Sequence, residues 1–592
     1  MFREGGPTLT TIHNDPNSAP SQPLVNRRAQ ASLWPTPLLI LAATACAVEM
    51  PFFFRGSPSG HDFEFHLYSW LEILAQWKQG IFYPRWAALA HFGYGEPRFI
   101  FYPPASWILG SALSAVLPWT LASSVYIWIV LVVAGASMFL LARRWLNRRD
   151  AIFAAALYTA NPYHLLIVYW RSAFAELLAS CLLPLLLLLV LRAADEGWRA
   201  TVPLAAVLAA SWLTDAPAAL MVHYSLVLLL LIVAWQRRSG RVLMVGAVAV
   251  ALGLLLSAFY LLPVIHEQGW INIAEAVSPG SRPQDSFLFT HTTDADHDAF
   301  NRLVSWIAVA EIVAALAAAW AAKRWVQGTR GREYLPQSTA DPRRATNDRS
   351  EDRSGLWYAL AAWAAACTVF MLPLSSSLWD VLPKLRFMQF PWRWLLCLSF
   401  IFSFFLTVGV RRWWIRVATC LTILLVILTG WQRIQPPWWD TAADLREMQD
   451  NMESGEGYEG TDEYTPRGVD PSAIDKDARK VTVDGPQHAA IHVLQWNAES
   501  RLFTAELSAP ADLALTLFNY RAWRVEVNGR VVTTGTREGS GQMLIPVEAG
   551  ANRVQLTFAR TWDRAAGGWI SIASMVALLV WSLRKRLLRT SP

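Results

Sequence analysis

Apolar stretches of roughly 20 residues recur along this chain, and each is long enough to cross a bilayer core about 30 Å thick. The 592 residues are 54% hydrophobic and only 16% charged, whereas soluble domains carry roughly 25% charged residues. The chain contains 31 tryptophans, and many lie near the ends of these stretches, as in the aromatic belts of membrane interfaces. The pattern predicts a polytopic α-helical membrane protein.

Clusters of basic residues separate the apolar stretches and predict their orientation, because such clusters stay in the cytoplasm. Placing every cluster inside gives about twelve spans of an inner-membrane protein, with both termini cytoplasmic. The clusters are Arg27-Arg28, Arg143-Arg144 with Arg148-Arg149, Arg237-Arg238 with Arg241, 323–353, Arg411-Arg412 with Arg416, and 584–586. The predicted spans are 34–54, 121–142, 151–168, 174–193, 201–215, 217–236, 242–264, 301–322, 355–373, 392–410, 413–431 and 567–583. The stretch 103–118 breaks the alternation, so we expect a helix that lies on or dips into the outer face.

The positions of the basic residues and of the cysteines argue against a nucleic-acid-binding, disulfide-bonded or zinc-binding protein. The net charge of +6 comes from the short basic clusters between spans, so it indicates orientation and not nucleic-acid binding. All five cysteines lie inside apolar stretches, with neither disulfide nor zinc-ligand spacing. We expect them to be buried small hydrophobic residues.

The long segment before the last span has a different character. Residues 440–480 are acidic and Gly-rich, and roughly eight short β-type runs then alternate with turns over about 85 residues. Asn528-Gly529, between two such runs, is a strong hairpin signal. We expect an extracytoplasmic β-sandwich that either caps the membrane site or binds an acceptor glycan.

These features predict the following domain organisation. The predicted regions are a disordered cytoplasmic tail (1–33), a transmembrane domain (34–431) with outer loops 55–120, 265–300 and 374–391 and a cytoplasmic insert (325–354), an acidic outer loop (432–479), a β-sandwich (480–566), and a last span with a basic tail (567–592).

Four ionisable residues follow the first predicted span: His61, Asp62, Glu64 and His66. On a helix, Asp62 and His66 lie one turn apart on the same face. A carboxylate there could accept a proton from an acceptor hydroxyl or hold a divalent cation such as Mg²⁺ or Mn²⁺. The alternative is an interfacial helix whose polar residues face water. We expect Asp62 to be catalytic, with Glu64 and His66 as further catalytic candidates.

Two charged positions lie at other predicted outer ends. Arg171 and Glu176 flank the turn between two spans, where they form either a mutual ion pair or a grip on a lipid phosphate. Asp215 precedes another span, and a helix cap is its simplest role.

Arg393 lies between Trp392 and Trp394 at the start of a predicted span, with Arg386 and Gln389 just before it. An arginine between two tryptophans at the outer interface can bind a phosphate and stack on a ring. It can equally be an interfacial anchor whose charged end reaches the headgroups.

The chain resembles two groups of membrane proteins. The Asp62 loop followed by Tyr102-Pro103-Pro104 is similar to the GT-C superfamily of glycosyltransferases that use polyprenyl-phosphate sugars. Residues 55–470 more narrowly resemble bacterial membrane proteins termed "6-pyruvoyl-tetrahydropterin synthase-related". The segments that carry this second resemblance are Gly60–His66, Arg171–Glu176, 389–393 and Glu459–Pro466. The sequence shows no three-His zinc pattern, and the single Asp62 stands where many GT-C enzymes carry paired acids.

The resemblance implies a GT-C-like fold and an inverting transfer of a sugar from a polyprenyl-phosphate donor to a glycan, lipid or protein acceptor at the outer face. Asp62 would be the general base or a metal ligand, and Arg171 and Arg393 would hold the donor phosphate. The implied substrate-binding residues are His61, Tyr102, Arg171, Glu176, Asp215, Arg386, Gln389, Trp392, Arg393, Glu463 and Tyr464.

Two other classes of protein fit parts of the pattern. A transporter or flippase of a lipid-linked envelope precursor would place ionisable groups near the bilayer midplane and often shows inverted repeats. A non-catalytic scaffold would use the β-sandwich to recruit envelope partners, but it would leave Asp62, Arg171 and Arg393 without a common purpose.

Overall fold

The computed structural model describes residues 34–327, 342–430 and 438–590. The predicted tail 1–33, part of the predicted insert 325–354 and the first residues of the predicted loop 432–479 lie outside the described residues.

Helices make up most of the chain before residue 430, and one more helix follows the β-sheet region. They are α1 (Pro35–Val48), α2 (Phe52–Arg55), α3 (Phe63–Lys78), α4 (Arg98–Phe101), α5 (Pro104–Val116), α6 (Trp119–Ala142), α7 (Arg148–Thr159), α8 (Pro162–Leu166), α9 (Phe174–Ser180), α10 (Leu182–Glu196), α11 (Thr201–Thr214), α12 (Ala216–Arg237), α13 (Arg241–Leu256), α14 (Ala258–Glu267), α15 (Ala295–Gln327), α16 (Pro342–Met371), α17 (Ser376–Val381), α18 (Leu395–Gly409), α19 (Trp413–Gly430), α20 (Ala442–Ser454) and α21 (Trp562–Thr590). A π-helical turn, Ile167–Arg171, continues α8.

The prediction of several membrane-spanning helices is confirmed, whereas the count of twelve spans stays a prediction. Within the described residues, nine helical stretches are long and apolar enough to cross a membrane, and a bent pair adds a tenth. Predicted spans 174–193 and 201–215 fall in one apolar stretch, Phe174–Thr214. Gly197 interrupts this stretch with a φ of 60°. The bent pair replaces predicted span 242–264, with a bend of 76° between Arg241–Leu256 and Ala258–Trp270.

Ion pairs collect several basic clusters at one end of the helical region. Arg237 pairs with Asp195 at 3.2 Å and with Asp352 at 2.8 Å, and Arg144 also pairs with Asp195. Arg148 and Arg171 stand at opposite ends of one helical stretch of 24 residues, which corresponds to roughly 36 Å at 1.5 Å per residue. Arg171 therefore lies at the end of the bundle opposite the basic clusters.

The predicted outer-face stretch 103–118 forms α5, a helix of 13 residues. At about 20 Å it is too short to cross a hydrocarbon core of about 30 Å. Gly110 packs α5 directly on α3, since a Cβ at this position would lie 1.9 Å from the Trp70 ring. The pair α3 and α5 therefore forms a close-packed unit beside the Asp62 loop.

The C-terminal region contains β-sheet, as predicted. Its strands are β3 (Val481–Asp484), β4 (Ala489–Trp496), β5 (Ser500–Leu507), β6 (Ala511–Phe518), β7 (Trp523–Val527), β8 (Arg530–Val531), β9 (Gly535–Thr536), β10 (Gln542–Val547) and β11 (Gly550–Phe558), and the short pair β1 (Ser57–Pro58) and β2 (Trp439–Asp440) lies apart from them. They form an antiparallel sheet in the order β3-β6-β10-β9 and a second in the order β4-β5-β11-β7-β8. The predicted hairpin joins β7 and β8, and Asn528 and Gly529 both have positive φ, as a type I′ turn requires.

A buried polar cluster joins this sheet region to the helices. Glu267, at the end of α14, accepts two hydrogen bonds of 2.7 Å from Arg564 of α21 and one of 2.6 Å from Tyr520. The carboxylate and the guanidinium are both buried, so each compensates the other's charge. This contact holds the β-sheet region against one end of helices α14 and α21.

Candidate functional site

Two distant segments of the chain meet at Asp62. The backbone N–H of Asp62 donates to the Arg171 carbonyl at 2.8 Å, and that of Gly60 donates to the Ser172 hydroxyl at 2.9 Å. Ser172 itself has a left-handed backbone, with φ of 50°. A Cβ on Gly60 would lie 2.3 Å from the Trp170 carbonyl oxygen. Only glycine therefore allows the loop to pack this closely on the turn.

Arg171 is held by two carboxylates. One end of its guanidinium donates to Glu176 Oε2 at 2.5 Å, and the other donates to Asp62 Oδ2 at 3.2 Å. Arg393 approaches the same Glu176 oxygen, with its Nε at 3.3 Å. The Tyr163 hydroxyl donates to the second Glu176 oxygen at 2.5 Å. Asp62, Arg171, Glu176 and Arg393 thus form a row of alternating charges, which we call the charge row.

Burial differs along the charge row. Arg171, Glu176 and Arg393 are all buried, at 4%, 2% and 7% exposure. The Asp62 side chain is 28% exposed. Solvent therefore reaches the charge row from the Asp62 side.

Aromatic rings line the two arginines. The guanidinium of Arg171 lies 5.0 Å from the centre of the Trp392 ring, and that of Arg393 lies 4.9 Å from the Phe390 ring. Gln389 has a φ of 63°, a conformation that costs a non-glycine residue free energy and is common at functional sites. Its side chain accepts a hydrogen bond from Arg393 at 3.4 Å and donates to the Ala276 carbonyl at 2.8 Å.

Asp62 is an ionised carboxylate. Burial acts to raise its pKa, but Arg171 and a hydrogen bond with His61 outweigh burial and hold the pKa of Asp62 well below its usual range. The His61 ring lies 2.9 Å from Asp62 Oδ1 and is 81% exposed. Both oxygens of Asp62 are thus engaged by cationic or hydrogen-bonding groups.

His66 lies one helical turn after Asp62, in the first turn of α3, as predicted. It is only 1% exposed, between the rings of Phe174 at 5.1 Å and Tyr102 at 5.8 Å. Burial lowers the pKa of His66 to about 4, so its imidazole is neutral near pH 7. No described residue makes a hydrogen bond with either of its ring nitrogens.

Two other predicted residues lie near the charge row, Tyr102 beside Asp62 and Asp215 beside Arg393 and Glu176. Two more predicted residues, Glu463 and Tyr464, lie near Glu96 and Arg98 instead. The Tyr102 phenol is within electrostatic range of Asp62, Asp215 and Tyr464. Asp215 accepts a hydrogen bond from the backbone N–H of Ala218 at 2.8 Å and so caps α12. Tyr464 stacks on Phe101 at 6.1 Å. Burial raises the pKa of the neighbouring Glu463 to about 7.

Three other residues singled out by the sequence lie away from the charge row. Glu64 is exposed, and its charged neighbours are Asp440 and Glu459. Arg386 is exposed and lies over the Phe387 ring at 5.2 Å. Trp394 is buried and stacks on Phe370 at 4.9 Å, so Trp392 alone of the two tryptophans lines the arginines.

The sequence did not indicate a second buried cluster beside the first. Glu96 accepts hydrogen bonds from Arg98 at 2.5 Å and from the backbone N–H of Thr461 at 2.8 Å, and His91 Nε2 lies 2.9 Å away. Arg98 also donates to Ser69 of α3 at 3.0 Å. The available signal was Glu96-Pro-Arg98, two charges placed among apolar residues. This cluster holds the segment Glu459–Pro466 against α3.

A divalent cation at Asp62 does not fit this geometry. One carboxylate oxygen faces the Arg171 cation and the other is bonded by His61. Throughout the described part of the chain, no three His, Cys, Asp or Glu residues are grouped so that they could hold a metal ion.

The fold defines a polytopic membrane protein with a C-terminal β-sheet region and a buried charge row at one end of its helices. The chain belongs to the 6-pyruvoyl-tetrahydropterin synthase related domain family of membrane proteins, whose sequence profile matches residues 99–433. No curated protein matches the sequence.

Two solved structures of an archaeal oligosaccharyltransferase show a distant likeness. The apo enzyme of Archaeoglobus fulgidus is 14% identical with a TM-score of 0.36, over 71% of this chain and 56% of that chain. AglB of the same organism, in complex with an inhibitory peptide and a dolichol-phosphate, is 14% identical with a TM-score of 0.35, over 74% and 57% of the two chains. This chain spans a little more than half the length of either structure.

Proposed function

We propose that this protein transfers a sugar from a polyprenyl-phosphate donor to a glycan, lipid or protein acceptor at the outer face of a bacterial inner membrane. One observation carries the proposal. Segments that are far apart in sequence, at Asp62, Arg171–Glu176 and Arg393, meet in one buried charge row. The row lies at the end of the bundle opposite the basic clusters, which by the positive-inside rule is the outer end.

The donor phosphate would enter the charge row by replacing Asp62 at Arg171. The contact from Arg171 to Asp62 is 3.2 Å and partly exposed, whereas the contact to Glu176 is 2.5 Å and buried. Asp62 is therefore the exchangeable partner, and Glu176 keeps both arginines in place. A guanidinium can then bind two phosphate oxygens at once.

Phosphate binding would also prepare Asp62 as a base. The charge of Arg171 holds the pKa of Asp62 below its usual range, and a phosphate anion beside Arg171 offsets that effect. The acceptor oxygen then bonds to the anomeric carbon, and the carbon–oxygen bond to phosphate breaks with its electron pair going to the phosphate. The acceptor proton passes to Asp62, and the arginines stabilise the charge that develops on the leaving phosphate.

The C-terminal β-sheets would form an extracytoplasmic β-sandwich beside this site. The contact of Glu267 with Arg564 and Tyr520 supports a fixed position for it. We propose that the sandwich caps the site, with acceptor-glycan binding as its second role.

The flippase alternative has one observation in its favour. Glu311 is a buried carboxyl near the middle of α15, where transporters place ionisable groups. Both of its oxygens, however, lie 2.9 Å from the Ser399 hydroxyl of α18. Such a contact joins two helices and leaves the charge row unexplained, so we favour the transferase.

The test is a transfer assay with the purified full-length protein in proteoliposomes. Polyprenyl phosphates carrying tritiated hexoses are supplied with an extract of envelope glycans and lipids as acceptors. We expect label to leave the donor and appear in the acceptor fraction only when protein is present. Retention of all label on intact donor, across the panel of hexoses, would contradict the proposed function.

A further inference from the structure

We propose that His66 binds the donor phosphate and takes up a proton as it does so, which makes it a third phosphate-binding group beside Arg171 and Arg393. This inference rests on the proposed function and deepens it, since it concerns the chemistry of the lipid-phosphate site.

The first support is geometric. His66 is almost completely buried, yet no described residue bonds to its ring nitrogens. Among the described residues, neither ring nitrogen of His66 is a fully buried atom without a partner. Both nitrogens therefore border space that a ligand oxygen can reach. The groups within its electrostatic range are Asp62, Arg171 and Arg98. A ligand that displaces Asp62 from Arg171 would therefore arrive beside this ring.

The second support is electrostatic. Two cations, Arg98 and Arg171, and burial all disfavour the imidazolium, and only Asp62 favours it. A phosphate anion adds a second favourable neighbour. Binding of the anion and protonation of His66 therefore promote each other.

The consequence for catalysis follows from the charges. A phosphodiester donor carries one negative charge, whereas the departing phosphate monoester carries about two near pH 7. The interaction with His66 therefore strengthens as the carbon–oxygen bond breaks. Such an interaction stabilises the transition state more than the bound donor.

The direction of the pH dependence can be worked out. The pKa of free His66 is lowered to about 4, and the bound form has a higher value. Affinity for a phosphodiester then rises as the pH falls through the bound pKa, and the gain levels off near the free value. If the bound pKa approaches the ordinary 6.5, the gain between pH 8 and pH 5 is about thirtyfold.

The experiment measures binding and needs no knowledge of the sugar. The probe is farnesyl methyl phosphate, a lipid phosphodiester that does not itself titrate between pH 5 and pH 8. Its binding to the detergent-solubilised full-length protein is followed by calorimetry in buffers of different ionisation enthalpy, which counts the protons taken up. The variants are His66→Gln and His66→Phe, because the phenyl ring fits among the aromatic neighbours if glutamine impairs folding. His291→Gln is the control, since His291 is exposed and pairs with Asp298 at 2.9 Å.

We expect proton uptake and tighter binding at low pH in the wild type and in His291→Gln. Both effects should be lost or strongly reduced in the two His66 variants, with thermal unfolding near that of the wild type. Unchanged proton uptake and pH dependence in both His66 variants would overturn the role of His66 alone. If the wild type binds neither this diester nor farnesyl phosphate, the proposed function fails and this inference fails with it.

Discussion

Arg171 is the central residue of the site, because the two ends of its guanidinium bind two different carboxylates, Asp62 and Glu176. Its sequence neighbourhood suggested the pair with Glu176, which is five residues away. Residues five apart lie on different faces of a regular α-helix, and the π-turn followed by left-handed Ser172 brings them together. The sharing of Glu176 with Arg393 could not be predicted, because a contact across more than 200 residues leaves no local pattern.

Arginine-to-lysine changes test the phosphate grip. Lysine keeps the charge but loses the planar fork, so Arg171→Lys and Arg393→Lys should weaken binding of farnesyl phosphate by about one order of magnitude or more. Calorimetry at pH 7 measures the change, with the exposed Arg446→Lys of α20 as the control. Wild-type affinity in both variants would show that the two arginines form structural ion pairs and do not bind the phosphate.

At the scale of secondary-structure elements, the close approach of the Asp62 loop to the turn at Arg171 brings the two charged residues together. The sequence indicates the polar residues of this loop and of the turn separately. It contains no local signal that Gly60 lets the two segments pack together. The conformation of a loop depends on its tertiary partners, whereas helices and strands follow from the periodicity of apolar residues. The hairpin at Asn528 was predictable because two consecutive residues with positive φ have a local signature.

Gly60→Ala tests this close approach. The added methyl group would lie 2.3 Å from the Trp170 carbonyl oxygen, so the loop must move away and Asp62 with it. We expect a loss of about 1–3 kcal/mol in the free energy of unfolding, typical of overpacking, and a fall in sugar transfer beyond what the stability loss explains. Gly269→Ala is the matched control, since a Cβ there meets nothing within 4 Å. A Gly60→Ala protein with unchanged stability and transfer would show that the loop is not constrained in this way.

At the scale of the whole molecule, the apolar stretches of the sequence predicted the helical region well and the breaks within it less well. Predicted span 413–431 corresponds to Trp413–Thr429, a shorter apolar helix. The bend of 76° in the span predicted at 242–264 lies in a uniformly apolar run. Hydropathy gives the length of an apolar run but not the direction of its helix axis. The helix breaks at Gly197 and Ser257 therefore hardly change the hydropathy profile.

Orientation in the membrane can be tested with reporters. The basic clusters predict that the β-sheet region lies outside the cytoplasm. Fusion of alkaline phosphatase near residue 500 should give an active reporter, and a reporter that functions only in the cytoplasm should be inactive there. The opposite pattern would place the charge row on the cytoplasmic side and exclude an outer-face transfer.

The most direct test of the central claim is the rate of sugar transfer by Asp62→Asn in proteoliposomes. Asparagine keeps the shape and much of the hydrogen bonding of Asp62 but cannot accept the acceptor proton. We expect transfer from the polyprenyl-phosphate donor to fall by about 10²–10⁴-fold, the usual cost of losing a general base. Thermal unfolding should stay near that of the wild type, and the exposed Asp450→Asn of α20 should transfer normally. Full transfer by Asp62→Asn would contradict the mechanism, and movement of intact donor lipid across the bilayer without transfer would identify a flippase instead.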